Sequence, residues 1–350
     1  MGGRISNPED LFAFLPVEKT HFPPVPLDFT PLWQSSRLKE KTGFSHLYMK
    51  DETRQLTGSL KDRASLLVAA FARREGIKEI TVASTGNAGS SMAGIGAAAG
   101  LQITLFLPES APKAKIVQAL QYGARVIPVK GTYDQAFDLS LAYSKKRDSL
   151  SRNTAYNPLT IEGKKTVSLE IFYQLKDIPD VIFVPVGDGV ILSGIYKGFR
   201  DLKDQHCTNS IPHVVAVQAE GSSAIARAFH TGKFTLSPAK TLADSISVSV
   251  PRGGYYALKQ LKTYHGSVIT VSDNEILHAQ KELSTTTGLF AEPAAAASYA
   301  GFLKIKGTLS KDQKIVLLIT GNGLKDIDTA RKSIHFPKNS ISSLEDLDHD

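Results

Sequence analysis

Short apolar runs rich in β-branched residues recur along the chain at 79–83, 102–107, 125–129, 181–186, 214–218, 268–271 and 314–319. The segments between them, 89–100 and 112–122 among the first, have the length and composition of helices. Alternation of strand and helix over most of a chain predicts an α/β architecture with buried parallel strands. Ahead of it, residues 1–45 carry Pro16, Pro23, Pro24, Pro26 and Pro31 and predict an extended arm packed over a domain. Past residue 335 the apolar periodicity stops, and Glu345, Asp346, Asp348 and Asp350 predict a loose acidic tail over 336–350.

In open α/β sheets, ligands bind where strands end and helices begin. Four such junctions carry candidate chemistry. Thr57-Gly58-Ser59-Leu60 leads Lys61 into a helix-like stretch. A lysine at a helix start feels the positive end of the helix dipole, which disfavours its protonation. Burial acts the same way, and a lysine of depressed pKa suits Schiff-base chemistry. Taken alone, a solvated lysine in a first helical turn explains it better. Ser84, Thr85, Gly86, Asn87 and Ala88 follow the strand at 79–83 and open a helix of small residues. N–H groups and hydroxyls there suit a carboxylate or phosphate, and so does an ordinary Ser/Asn cap. Gly94-Ile95-Gly96 lies inside that helix rather than in the turn before it, so it marks close helix–strand packing and not a dinucleotide site. Gly187, Asp188, Gly189, Val190 and Ile191 form a third junction, where glycines permit a phosphate-holding turn and the Asp188 carboxylate opposes it unless it points away. Thr320, with Gly321 and Gly323, ends the strand at 314–319.

Composition narrows the field. Lys+Arg 41 against Asp+Glu 34 gives +7, which suits anionic ligands, yet no basic run interleaved with aromatics points to nucleic acid. The lone Cys207 excludes an internal disulfide and a cysteine-based zinc or iron–sulfur centre, and no metal site is expected. No stretch reaches the apolar length of a membrane span, and the N-terminus lacks a signal pattern, so a cytoplasmic location is expected. Gly2 with Ser6 fits the undemanding myristoylation pattern, and without a following basic patch it carries no weight.

The order of the four junctions is more distinctive than any one of them. Lys61 before Asp62-Arg63, then Ser84-Thr85-Gly86-Asn87, then the glycine turn at 187–189, then Thr320-Gly321-Asn322-Gly323-Leu324-Lys325-Asp326 resembles the pyridoxal-phosphate enzymes of the tryptophan-synthase-β superfamily, fold type II. Asn157-Pro158, Ile161-Glu162-Gly163-Lys164-Lys165-Thr166 and Glu292-Pro293-Ala294 resemble its threonine synthase branch, and the resemblance runs from about Phe29 to Asp326. It implies two α/β lobes of twisted, mostly parallel sheets flanked by helices, with pyridoxal 5'-phosphate between them. The larger lobe would combine 1–45 with 156–335, and the smaller, mobile lobe would be 46–155. By the same resemblance, Lys61 would hold the cofactor as a Schiff base and act as acid and base. Asn87 would bond the ring oxygen, Gly187, Asp188, Gly189, Val190 and Ile191 would wrap the phosphate, and Thr320 would face the pyridine nitrogen. Ser84, Thr85, Asn87 and Ala88 would hold the carboxylate of a small amino-acid substrate. A homodimer is implied as well. A hydroxyl beside the pyridine nitrogen makes a shallower electron sink than a carboxylate, which favours elimination or replacement over transamination.

The chain departs from that branch where a substrate phosphate would bind. The branch usually has S-T-G-N-T-S and N-P-x-R-I-E-G-Q-K-T; here Ala88 and Gly89 replace the last hydroxyls, and Thr160 replaces the arginine. Asp188 stands for the usual asparagine and Val190 for a small residue. Loss of a bidentate arginine matters for a dianion. Either Lys113, Lys115, Lys164 or Lys165 supplies replacement charge and O-phosphohomoserine is the substrate, or the enzyme is an ammonia-lyase on serine, threonine or another amino acid without phosphate. Two other classes are weaker. Lys61 argues against a fold that has lost turnover, and the turn at Ser84–Asn87 lacks the glycines and following strand-end acid of a nicotinamide oxidoreductase.

Overall fold

Ten strands form among the described residues where the apolar runs predicted seven, and they divide between two sheets. The computed structural model describes residues 7–26, 29–111, 113–336, 340 and 342. The strands are β1 (Leu32–Trp33), β2 (Leu47–Asp51), β3 (Glu79–Ala83), β4 (Gln102–Pro108), β5 (Arg125–Val129), β6 (Leu150–Ser151), β7 (Val181–Pro185), β8 (His213–Ala219), β9 (Ser267–Val271) and β10 (Ile315–Ile319). One sheet runs β1-β2-β10-β7-β8-β9, the other β5-β4-β3-β6. Every pairing is parallel except β1 with β2. All seven expected strands are present within a residue or so of their predicted ends.

Burial on both faces explains why the strands read as continuous apolar runs. Phe183, Val215 and Val217 face one core of the larger sheet, while their neighbours Ile182, Val184, Val214 and Ala216 face the other. In the smaller sheet Val82 and Leu105 belong to one cluster, Ala83 and Phe106 to the next. Gly96 carries out its expected packing role: a Cβ there would come within 2.3 Å of the Ile103 side chain on β4.

Two expectations change. The N-terminal arm is not simply extended. Asn7 accepts from the N–H groups of Glu9 and Asp10 and starts a 3-10 helix at Pro8–Phe14, a short 3-10 helix follows at Lys19–His21, and an α-helix at Ser36–Thr42 forms under a Ser35 cap. Leu11 and Val17 anchor this arm in the core. Sheet membership also moves the boundary at residue 46, because β2 pairs with β10 and belongs to the larger sheet. Its charged Lys50 and Asp51 are buried, Lys50 against the distant Glu170 and Asp51 against the neighbouring Thr53, so hydropathy alone does not mark it as core. The Gly2/Ser6 pattern and the acidic residues from Glu345 onward lie outside the described residues.

Parallel strands place the site. The C-terminal ends of β3, β7 and β10 deliver Ser84, Gly187 and Thr320 to the space between the sheets. Bridges between Ser59 and Gly321, and between Ala291 and Asn322, tie the approach to Lys61 onto the turn after β10.

Candidate active site

Lys61 opens the helix Lys61–Arg74 without a side-chain cap at Leu60. The Leu60 N–H donates to the Thr320 carbonyl at 2.9 Å, and the Thr57 N–H donates to Asp62 at 2.6 Å, so the entry into the helix is fixed on both sides. The Lys61 ammonium has no hydrogen bond or ion pair among the described residues and lines a cavity of about 400 Å³. Burial lowers its pKa from the ordinary lysine value; Asp188 and Glu292 oppose the shift, and Arg152 adds to it.

Ser84, Thr85, Asn87 and Ala88 line the same cavity at the start of the helix Asn87–Ala99. The Ser84 hydroxyl accepts from the Gly86 N–H at 3.1 Å. The N–H groups of Thr85, Asn87 and Ala88 find no acceptor among the described residues, leaving an anion cradle at the helix end. The Asn87 amide donates to both Glu292 oxygens, at 3.0 and 2.9 Å, and to the Ser245 hydroxyl at 3.2 Å.

Opposite, Gly187, Asp188, Gly189 and Ile191 line the cavity ahead of the helix Val190–Asp204. Gly189 has φ of +90°, and a Cβ on it would press to 2.7 Å of the Ala257 Cβ, so glycine is required on both counts. The Gly187, Asp188 and Gly189 N–H groups have no acceptor among the described residues. Val190 differs from expectation. Its side chain is buried away from this cavity, and its N–H donates to the Asp188 carboxylate at 3.0 Å. Asp188 therefore turns back onto its own turn rather than away from it. Thr320 is buried at the cavity wall.

The structure adds residues that no local pattern marks. Arg152 is fully buried, donates to Thr154 at 2.7 Å, and leaves its Nε without a partner; burial pulls its pKa down to about 10. Lys164 is buried with no partner for Nζ, and burial holds its pKa well below the lysine value against the pull of Asp188. Lys165, the alternative at the next position, is committed to Glu162 and Asp201 at 2.5 and 2.8 Å. The side chains of Lys113 and Lys115 lie outside the described residues. Thr160 is buried and its hydroxyl donates to the Asn157 carbonyl at 2.8 Å. Glu292, cited above only as part of a motif, holds Asn87, and burial raises its pKa. Tyr133 donates to the Ala83 carbonyl at 3.2 Å, and Arg252 pairs with Asp134 at 2.6 Å; all three of these side chains line the cavity.

A half-buried unpaired amine, two sets of free N–H groups and a strand-end hydroxyl around one cavity match the needs of an aldehyde cofactor with a phosphate. Residues 26–321 match the family described as pyridoxal-phosphate dependent enzyme, and the chain belongs to that family. Among curated relatives it is 36% identical over 315 residues to the threonine synthase of Methanocaldococcus jannaschii, covering 88% of this chain and 78% of that protein. It is also 36% identical to the threonine synthase of Halalkalibacterium halodurans, covering 92% of this chain and 90% of the relative. A solved threonine deaminase from Solanum lycopersicum shares the fold, with a TM-score of 0.78 at 23% identity over 94% of this chain and 93% of that one. The protein is thus a pyridoxal-phosphate-dependent enzyme of the lyase class, built on fold type II. Among the described residues no helix is long and apolar enough to cross a membrane.

Proposed function

We propose that the protein is a threonine synthase, turning O-phosphohomoserine and water into threonine and phosphate. One observation carries this reading: Lys61, the free N–H groups after β3, the glycine turn after β7 and Thr320 all face one 400 Å³ cavity. Its strongest support from outside the chain is the threonine synthase relatives, matched along most of their own length.

When bound, pyridoxal phosphate supplies an electron sink that weakens bonds at the α-carbon of an amino acid. The chain's residues do the rest. Lys61 would hold the cofactor's carbonyl carbon and move the proton at the substrate α-carbon, and its burial favours the neutral amine. Asn87 would bond the ring oxygen, and Thr320 would be the neutral partner of the ring nitrogen. The N–H groups of Gly187, Asp188 and Gly189, with Ile191 beside them, would hold the cofactor phosphate. Ser84, Thr85, Asn87 and Ala88 would take the substrate carboxylate. The phosphate leaves from the γ-carbon and water adds at the β-carbon, which balances the reaction. Arg252, ion-paired to Asp134 and lying 3.9 Å from the Phe137 ring, bridges the two sheets at the mouth. Both partners are substantially exposed, so this bridge opens at little cost.

A second reading is favoured by Ala88, Gly89 and the inward-turned Thr160, which offer no side-chain grip on a substrate phosphate. It makes the enzyme an ammonia-lyase on serine, threonine or a related amino acid. Incubating cofactor-loaded protein with O-phosphohomoserine, serine and threonine separates the two. Threonine and phosphate released one to one support the first. Keto acid and ammonia from serine or threonine, with O-phosphohomoserine untouched, support the second and overturn the first. We also carry a cytoplasmic homodimer as part of this proposal, which light scattering and fractionation test.

A further inference from the structure

The turn after β7 contains a contradiction. Its free N–H groups suit a phosphate, yet Asp188 sits within it and bonds the Val190 N–H. A dianion and a carboxylate in one turn repel strongly at such range. A buried basic group that takes up a proton as the dianion arrives would remove the conflict, and Lys164, whose burial disfavours the charged form until then, is that group. Its Cβ packs against Gly194 on the helix that the turn begins, where an added Cβ would meet it at 2.7 Å. Its Nζ is buried with no hydrogen bond, and Asp188 is the one acid acting on it, with Lys61 and Arg152 its cationic neighbours. A fully buried lysine without a partner is rare because it is costly. Arg152 repeats the pattern with an unpartnered Nε and Asp188 as its first electrostatic partner. Three buried or half-buried basic groups thus feel Asp188 while burial lowers the pKa of each, and an incoming dianion favours their charged forms.

We propose that Lys164 is the buried counter-cation of Asp188, and that the two act as a pair, seconded by Arg152, to let a carboxylate-bearing turn accept the dianionic phosphate of the cofactor. Lys164 is then a positioning residue. The inference rests on the turn at 187–191 being the phosphate cradle, as set out above.

A double-mutant cycle tests it by equilibrium binding. Dissociation constants for pyridoxal phosphate and for pyridoxal, which lacks the phosphate, are measured for wild type, Lys164→Gln, Asp188→Asn and the double variant. Thermal melts of the cofactor-free proteins control for folding. Lys164→Gln should weaken pyridoxal phosphate at least about tenfold and leave pyridoxal within about twofold. The double variant should recover most of the loss, because removing the carboxylate removes the need for its counter-charge. Additive effects, or an equal loss for pyridoxal, overturn the pairing. Wild type binding both compounds equally overturns the cradle assignment and the pairing with it. Should Lys164→Gln not fold, Asp188→Asn alone still decides: it should tighten pyridoxal phosphate, and weakened binding overturns the proposal.

Discussion

Lys61 and Arg63 stand two positions apart on one helix, and each belongs to a buried cluster of charge. Around Arg63 the account is closed. Its guanidinium donates to Glu52 at 2.7 and 2.8 Å, to Glu170 at 2.6 and 2.8 Å, and to the hydroxyls of Thr30 and Thr166. Lys50 completes the set with Glu170 at 2.6 Å and the Thr30 carbonyl at 2.7 Å. Two cations meet two carboxylates, every donor is used, and the cations hold the Glu170 pKa down at about 2 despite burial. Around Lys61 the account is open. Lys61, Lys164 and Arg152 all feel the Asp188 charge, each has a side-chain nitrogen without a partner among the described residues, and all three have lowered pKa values. The same helix thus carries one cluster that locks it to the larger sheet and one held ready for a ligand. A satisfied buried network stabilises and fixes geometry, whereas an unsatisfied one costs stability and is kept where function needs it.

Exchanging the roles of the two residues gives the largest expected effects. Lys61→Ala should cut turnover at least about a thousandfold and abolish the visible absorbance of the bound cofactor, with no loss of unfolding free energy. Arg63→Met should leave Glu52 buried without its cation and Glu170 with Lys50 alone, and cost about 3–5 kcal/mol in urea unfolding. Lys61→Ala that unfolds the protein, or Arg63→Met that melts like wild type, would break the comparison.

The two clusters were unequally legible in the sequence. Lys61, Asn87, the glycine turn and Thr320 each sit in the few residues after a strand or before a helix, so local pattern finds them. Glu52, Glu170 and Lys50 find one another across 120 residues or so of chain, and the burial of Arg152 and Lys164 is likewise a tertiary fact. No window of sequence separates a buried lysine from a solvated one. The fold divides the same way. Both-face burial writes β3, β4, β7 and β10 as apolar runs, while β2 hides behind Lys50 and Asp51, and β1 and β6 are two residues each and exist only through their neighbours. The N-terminal turns were masked by prolines, although Asn7 before Pro8 is itself a helix-start signal.

Opposite pH slopes give a medium-sized test. Glu170 has its folded pKa depressed from 4.5, so its contribution is complete above the unfolded value and is lost as pH falls from about 4.5 toward 2. Glu170→Gln should therefore flatten the acid limb of a stability–pH curve. Lys164 also has its folded pKa depressed, from 10.5, but it is a base. The unfolded chain then binds more protons than the folded one between the two values, so stability rises with pH up to about 10.5. Lys164→Met should accordingly stabilise the cofactor-free protein at neutral pH by about 1 kcal/mol, and the gain should fade toward alkaline pH. A gain that holds constant with pH would mean the methionine merely packs better.

The smallest effect concerns the link between the sheets at Asn87. Its amide has two hydrogens and three acceptors, the two Glu292 oxygens and Ser245, and the Ser245 hydroxyl itself donates to Glu292 at 3.2 Å. In the proposed site a ring oxygen of the cofactor would take one of those hydrogens, so Ser245 would give way while Glu292 keeps the amide aimed. Ser245→Ala removes the competitor and a bond to Glu292 together. Its net effect on cofactor affinity, read by fluorescence titration, should be no more than about threefold, against about tenfold for Asn87→Ala, which loses the direct bond. Combined, the two should cost no more than Asn87→Ala alone, because Ser245 acts only through the amide it touches. A double variant whose losses add would show Ser245 reaching the cofactor by a route of its own, and the Asn87 bridge would no longer be one unit.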